Sequence, residues 1–280
     1  MRDLCTSSAM THTGTRRRLN EDAYLDRPDL GLWAVADGMG GHKAGDYASQ
    51  RVVESLDFAE PSETPRDLLT RIEAALGATN DDLIAKADGL GPKAVVASTV
   101  VGLVVAGLRF ACFWAGDSRL YMIRGGEILQ LTRDDSHVQD LVDAGELGEQ
   151  EADGHPLAHV VTAAVGADRT FHLNLRHGRM TTGDRFLLCS DGLSRMLSAA
   201  EVSRIVTAYA ISEAAQTLVE EAVSRGARDN VTAIVIGRGA DEVRKEGGGE
   251  KAPWPGSGDE PDTLPGSGSG SRMNKPDGTA

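Results

Sequence analysis

An α+β layered domain is what this sequence predicts, on three observations. Strand-like apolar runs at 94–107, 109–117 and 119–132 follow one another with no helix between them, which calls for antiparallel pairing rather than βαβ winding. Runs with apolar residues at three-to-four spacing lie on either side of them. No long polar linker and no internal repeat divides the first 240 of the 280 residues, so they read as one domain.

In chain order, GLWAVAD (31–37) is a short apolar strand. KAGDYASQRVVESLDFA (43–59) and PRDLLTRIEAALGATNDDLIAKA (65–87) repeat apolar residues at helical spacing. AVVASTVVGLVVAG (94–107) and RFACFWAGD (109–117) are apolar strands, and RLYMIRGGEILQLT (119–132) is a hairpin turning at Gly125 and Gly126. SHVQDLVDAG (136–145) is helical, DRFLLCSD (184–191) a strand, and AAEVSRIVTAYA (199–210) and SEAAQTLVEEAVSRG (212–226) are helices. Several of these helices follow a Ser or Thr in capping position, and NVTAIVIG (230–237) is a last strand. Composition shifts near residue 240. Segment 241–280 holds 9 Gly, 5 Pro and 4 Ser with few apolar side chains, too little burial to offset ordering, and reads as a disordered tail.

With 40% hydrophobic and 25% charged residues the composition is that of a soluble globular protein. A net charge of −13 argues against nucleic acid or an anionic membrane as a partner, since both require a basic footprint. The three cysteines, Cys5, Cys112 and Cys189, are odd in number and far apart. Two of them sit in apolar runs, as free thiols in a reducing cytosol do, and no run is long enough for a membrane helix or a signal peptide. A cytoplasmic monomer is expected. Cys112, Cys189, Trp33 and Trp114 read as core.

The acids carry the functional signal. Asp37, Asp117 and Asp191 each end an apolar strand-like run beside Gly or Ser, in AVADG, FWAGDS and LLCSDG, and Asp229 stands just before another strand. A single Asp-Gly of this kind reads as a turn. Four at buried strand ends share one requirement, because a desolvated carboxylate is costly without a cation. Oxygen-only ligands suit Mg²⁺ or Mn²⁺, whereas zinc calls for Cys and His. The glycine loop GMGGHKAG matches neither GxGxxG nor GxxxxGK[ST], so a nucleotide loop is disfavoured. In TRRRLNEDAYL (15–25), alternation turns Arg17 to the face opposite Arg16 and Arg18, so that one guanidinium can face inward towards a phosphate. Glu21 and Asp22 add negative charge beside it.

These motifs occur together and in order: R-x-x-N-E-D (17–22), DGMGGH (37–42), STV (98–100), GDSRLY-x-x-R-x-G (116–126), LTRDDS (131–136), SDGL (190–193) and DNVT (229–232). In this the chain resembles the metal-dependent serine/threonine protein phosphatases, the PPM or type 2C family, and their compact bacterial members in particular, over residues 10 to 237. The resemblance implies a PPM-type domain at 1–240, a four-layer αββα sandwich of two antiparallel sheets, and a dinuclear Mn²⁺ or Mg²⁺ centre with a third, weaker site. Carried over by position, Asp37 bridges both metals and the Gly38 carbonyl ligates the second. Asp191 and Asp229 hold the first, Asp22 and Glu21 act through metal-bound water, and Asp117 helps hold the third. Arg17 clamps the phosphate. His42 is a general acid or orders the loop, with a metal-bound water as its rival for the proton.

Two positions depart from the bacterial pattern: Asp135, where many members have His, and Ala163, where Arg is frequent. Both fall on or beside a segment, 134–180, expected to form a mobile flap. The expected activity is hydrolysis of phosphoserine and phosphothreonine in proteins, with a serine/threonine kinase and its targets among the partners. Two rival readings are a non-catalytic member that binds phosphoproteins or senses metal, and a small-metabolite phosphatase.

Overall fold

Alternation along the strands places the layers. In β3 (Leu32–Met39), Trp33 and Val35 point to one face and Leu32, Ala34 and Ala36 to the other, and all five are fully buried. A strand buried on both faces needs cover on both. The computed structural model, which describes residues 5–40, 44–58, 64–152 and 154–238, shows what supplies it.

One sheet has the order β1-β11-β10-β7-β8, from β1 (Thr6–His12), β11 (Val231–Gly237), β10 (Arg185–Cys189), β7 (Arg119–Arg124) and β8 (Glu127–Gln130). The other has the order β2-β3-β5-β6-β9, from β2 (Asp22–Arg27), β3, β5 (Val100–Ala106), β6 (Arg109–Ala115) and β9 (Asn174–Arg179), and the two-residue β4 (Ala97–Ser98) pairs with the end of β3. All pairings are antiparallel. Between the sheets lie Trp33, Val35, Leu103 and Phe110 from one side and Met122, Phe186, Leu188 and Ile234 from the other, with Phe110 edge-on to Phe186 at 5.0 Å. The outer face of the second sheet packs on α1 (Ala44–Leu56) and α2 (Pro65–Leu90). The outer face of the first packs on α6 (Ala199–Ala208) and α7 (Ile211–Ser224). The result is the expected αββα sandwich.

The Gly125-Gly126 turn forms as read: Arg124 pairs with Glu127, and both glycines have positive φ, 61° and 87°, as a two-residue hairpin turn requires. Three strands were not anticipated. β1 (TSSAMTH) and β9 (NLRHGR) are polar edge strands, and β2 is a short DAYLDR segment, so none carries an apolar run. The run 94–107 is broken at Thr99, which turns its hydroxyl to the Asp37 N–H. The expected flap is also shorter than 134–180. Residues 174–179 are β9, locked on β6, and Val165 and Gly166 are buried and held by Ser98 and Asn80. What remains outside the sheets is 137–163, with α3 (His137–Asp143) and α4 (Glu149–Ala152) in it, and the connection 167–173 that leads into β9. Trp33, Trp114, Cys112 and Cys189 are core, as read. Among the described residues no helix is long and apolar enough to cross a membrane. The segment 241–280 lies outside the described residues.

Candidate active site

Asp22 and Asp37 face each other across the β2–β3 ladder. Asp22 is buried, and one of its carboxylate oxygens, Oδ2, accepts from Ser190 Oγ at 2.8 Å and Thr232 Oγ1 at 2.6 Å. Thr232 lies on β11 of the opposite sheet and Ser190 directly follows β10 of the same sheet, so this carboxylate joins the two sheets at one end of the sandwich. Its other oxygen, Oδ1, is buried with no hydrogen-bond partner among the described residues. The Asp37 backbone is fixed by Thr99 and Ser98: its N–H donates to Thr99 Oγ1 at 3.1 Å, and its carbonyl accepts from the Thr99 N–H at 2.9 Å.

Asp191 opens the short helix α5 (Asp191–Ser194) directly after β10. A Cβ on the next residue, Gly192, would stand 1.9 Å from the Asn230 carbonyl oxygen, so only glycine lets the helix start lie against the 229–230 turn that carries Asp229. Asn230 then fastens the N-terminal loop. Its amide donates to the carbonyls of Thr13 and Leu19 at 2.9 and 3.0 Å, and its Oδ1 accepts the Glu21 N–H at 2.8 Å. Arg17, half exposed on that loop, donates to Asp229 at 2.8 Å and lies 3.6 Å from Glu21. Residues 14–16 form a turn rather than the extended chain on whose alternation an inward Arg17 was expected, and the exposed guanidinium rests on these carboxylates.

Gly38 is glycine for want of space rather than for an unusual φ: a Cβ there would stand 2.0 Å from the Gly45 carbonyl oxygen. A Cβ on Gly45 would in turn meet Glu21 Oε1 at 2.6 Å and the Gly38 carbonyl oxygen at 2.7 Å. The Gly38 carbonyl and the Glu21 carboxylate thus converge at the start of α1. In the loop itself Gly40 does take a positive φ of 147°. His42, the candidate general acid, lies outside the described residues, as do Gly41 and Lys43.

The electrostatics are those of an acidic cluster short of cations. Burial, then the neighbouring carboxylates, holds Asp37 well above the usual carboxylate range. Burial lifts Asp22 to about 7 against the two hydroxyls that favour its charged form. Asp117 also rises to about 7 through burial and the nearby Asp191. Asp191 and Glu21 are raised by burial too, with Arg195 and Arg17 respectively opposing. One oxygen of Asp191, like one of Asp22, is buried and unpartnered among the described residues. Oxygen donors without partners, mutually repelling and from both sheets, fit divalent hard cations. No three His, Cys, Asp or Glu side chains among the described residues close into a ready-made cage. A backbone carbonyl such as that of Gly38, or water, would complete the shell.

Sequence reasoning missed Arg195. It follows α5 and lies 2.9 Å from Asp191 and 3.6 Å from Asp117. Its signal was the i,i+4 spacing from Asp191. Asp135 anchors both ends of the segment: its carboxylate accepts the Gly116 N–H and the Asn174 amide, both at 3.0 Å, and its carbonyl accepts from the Thr162 N–H at 2.8 Å. Ala163, beside it, is half-buried.

Residues 12–225 match the Protein phosphatase 2C family. The chain is 37% identical over 229 residues to the serine/threonine protein phosphatase PstP of Mycobacterium tuberculosis, a match that covers 81% of this chain but 44% of that protein. It therefore spans less than half the length of that relative. Among solved structures, PppA of Pseudomonas aeruginosa, a regulatory component of the T6SS, is similar at a TM-score of 0.78 and 36% identity, covering 84% of this chain and 98% of that one. The catalytic domain of PstP in complex with two manganese ions is similar at a TM-score of 0.73 and 35% identity, with the same coverage, 84% and 98%.

Proposed function

The chain belongs to the protein phosphatase 2C family, and from that premise we propose that it hydrolyses phosphoserine and phosphothreonine in proteins at a centre of two Mn²⁺ or Mg²⁺ ions. One observation carries the reading: Asp22, Asp37, Asp191 and Asp229 meet from both sheets at one end of the sandwich, two of them with a buried oxygen that no described residue satisfies. Two divalent ions supply an acidified water for in-line attack and neutralise phosphate charge.

The residues divide that work by position. Asp37, which has Asp22 and Asp191 as neighbours, would be shared by both ions. Asp191 and Asp229 would hold one of them, and the Gly38 carbonyl with Glu21 would serve the other. Asp22, held by Ser190 and Thr232, keeps its free oxygen turned into the site. Arg17 is the phosphate clamp: a half-exposed guanidinium resting on Asp229 is free to exchange that partner for a substrate's phosphate in bidentate geometry. His42 remains the candidate proton donor to the departing alkoxide. The partners are phosphorylated proteins, among them a serine/threonine kinase and its targets, whose phosphorylation this activity reverses. The catalytic unit is 1–240, with 241–280 as an appended tail.

The test is turnover of a phosphothreonine peptide and of p-nitrophenyl phosphate with and without Mn²⁺. Activity should need the added ion and vanish with chelator. Full turnover in excess EDTA after exhaustive dialysis would refute the dinuclear reading.

A further inference from the structure

Arg195 is a cation that the proposed reaction does not use. Its Nη2 lies 2.9 Å from Asp191 Oδ2 and 3.6 Å from Asp117 Oδ2, and the same nitrogen donates to the Ala158 carbonyl at 3.2 Å. Its Nη1 meets Nδ1 of His159. The arginine side chain is 28% exposed, whereas those of Asp117 and Asp191 are 8% and 14% exposed. One guanidinium therefore links two buried carboxylates on the β6–β7 connection and on α5 to two consecutive residues of the segment 137–163 that overhangs the site.

Two desolvated carboxylates need a positive charge between them. A divalent ion can supply it, and so can a guanidinium, but not both at one place, since like charges repel at that range. Only the guanidinium also offers directional N–H groups to a carbonyl and an imidazole. Arg195 engages Oδ2 of Asp191 and leaves Oδ1, which is buried and without a hydrogen-bond partner among the described residues.

We propose that Arg195 is the built-in third cation of this centre, standing between Asp117 and Asp191 where a third metal ion was expected, and that it docks the flap at Ala158 and His159 onto the metal centre. It is a positioning residue. The proposal rests on the dinuclear reading and replaces the expected role of Asp117 as ligand of a third ion. With that place taken by a side chain, the contact between the flap and the centre needs no third ion.

Counting Mn²⁺ ions bound to the full chain by equilibrium dialysis tests it. The wild type should bind two, and Arg195→Ala a third and weaker ion that is lost again in Arg195→Ala/Asp117→Asn. Hydrogen exchange over 156–163 should quicken roughly fivefold in Arg195→Ala, as expected for the loss of one or two partly buried hydrogen bonds. Arg195→Lys keeps the charge without the fork, so it should still bind two ions while the flap exchanges faster. Three ions on the wild type, two on Arg195→Ala, or unchanged flap exchange in both variants overturns the proposal. If Arg195→Ala does not fold, Arg195→Lys decides on the same two readings. A wild type that binds no Mn²⁺ at all refutes the dinuclear reading itself, and this proposal with it.

Discussion

Asp22→Asn should stabilise the metal-free protein and cripple the enzyme. The substitution removes a charge and almost no volume, and the amide oxygen can still accept from Ser190 and Thr232. In the metal-free fold, burial raises the Asp22 carboxyl from its ordinary 3.8 to about 7. A carboxyl raised in this way binds its proton more tightly folded than unfolded. Its contribution is therefore intact below about pH 4 and is lost as pH climbs to about 7. Each tenfold change in proton concentration within that window is worth about 1.36 kcal/mol, so between pH 5 and pH 8 the wild type should lose about 3 kcal/mol that the Asp22→Asn variant keeps. The neighbouring raised acids, Asp37 and Asp191, lose a repelling partner in the variant, which acts in the same direction. Urea unfolding in EDTA at pH 5, 6, 7 and 8 measures the gap. Excess Mn²⁺ should close or reverse it, because an ion at a hundred times its Kd stabilises the fold by about 2.7 kcal/mol and the variant binds it less well. A gap between the two proteins that stays constant to within about 0.5 kcal/mol across the pH series would refute the claim that Asp22 is an uncompensated buried acid.

Asp37→Asn, Asp191→Asn and Asp229→Asn should each lose at least roughly a hundredfold in kcat while the melting temperature in EDTA does not fall; a variant that retains turnover excludes that residue as a ligand. Gly38→Ala should lose Mn²⁺ binding and stability together, because its Cβ would collide with the Gly45 carbonyl at 2.0 Å; a stable variant with wild-type affinity would show that this approach is not required. Arg17→Ala should mainly raise KM for phosphopeptides, as loss of ground-state phosphate binding does, and an unchanged KM would move the clamp to Arg16 or Arg18. Ala163→Arg should alter kcat/KM on peptides with acidic flanks by roughly two- to fivefold, the size of an exposed ion pair, and hardly change p-nitrophenyl phosphate turnover; equal changes on both would place position 163 at the catalytic centre.

The acids were legible in the sequence because chemistry forces them to be: a carboxylate at the end of an apolar strand is conspicuous, and Asp37, Asp117 and Asp191 all are. The buried strands were legible for the same reason. β1 and β9 were not, since an edge strand facing solvent can be built from Ser, Thr, His and Arg, and its pairing is decided by β11 or β6 far away in the chain. The tie between Asp22 and the opposite sheet was hidden as well, because its partners Ser190 and Thr232 are 168 and 210 residues distant. Glycines told only half their story. Gly38, Gly45 and Gly192 serve close approach, and only the folded chain shows which backbone atom each one admits. Arg195 carried one local clue, its spacing from Asp191; its flap partners at 158 and 159 could not be inferred from that.

The β1–β11 ladder sets how the protein would respond to being pulled. Thr6 pairs with Gly237 and His12 with Val231, so the outward ends of both strands leave the ladder side by side. Tension applied between residues 5 and 238 would load its rungs one after another, peeling the pair open from Thr6 and Gly237 instead of shearing all seven positions at once. Little force is needed to start such a peel, but the tear runs towards Thr11 and Thr232, whose hydroxyls meet at 2.7 Å, and Thr232 also holds Asp22. An unfolding motor gripping either end would thus detach the edge of the sandwich easily and meet its first real resistance at the buried Asp22, where the ions of the proposed centre would act as the latch.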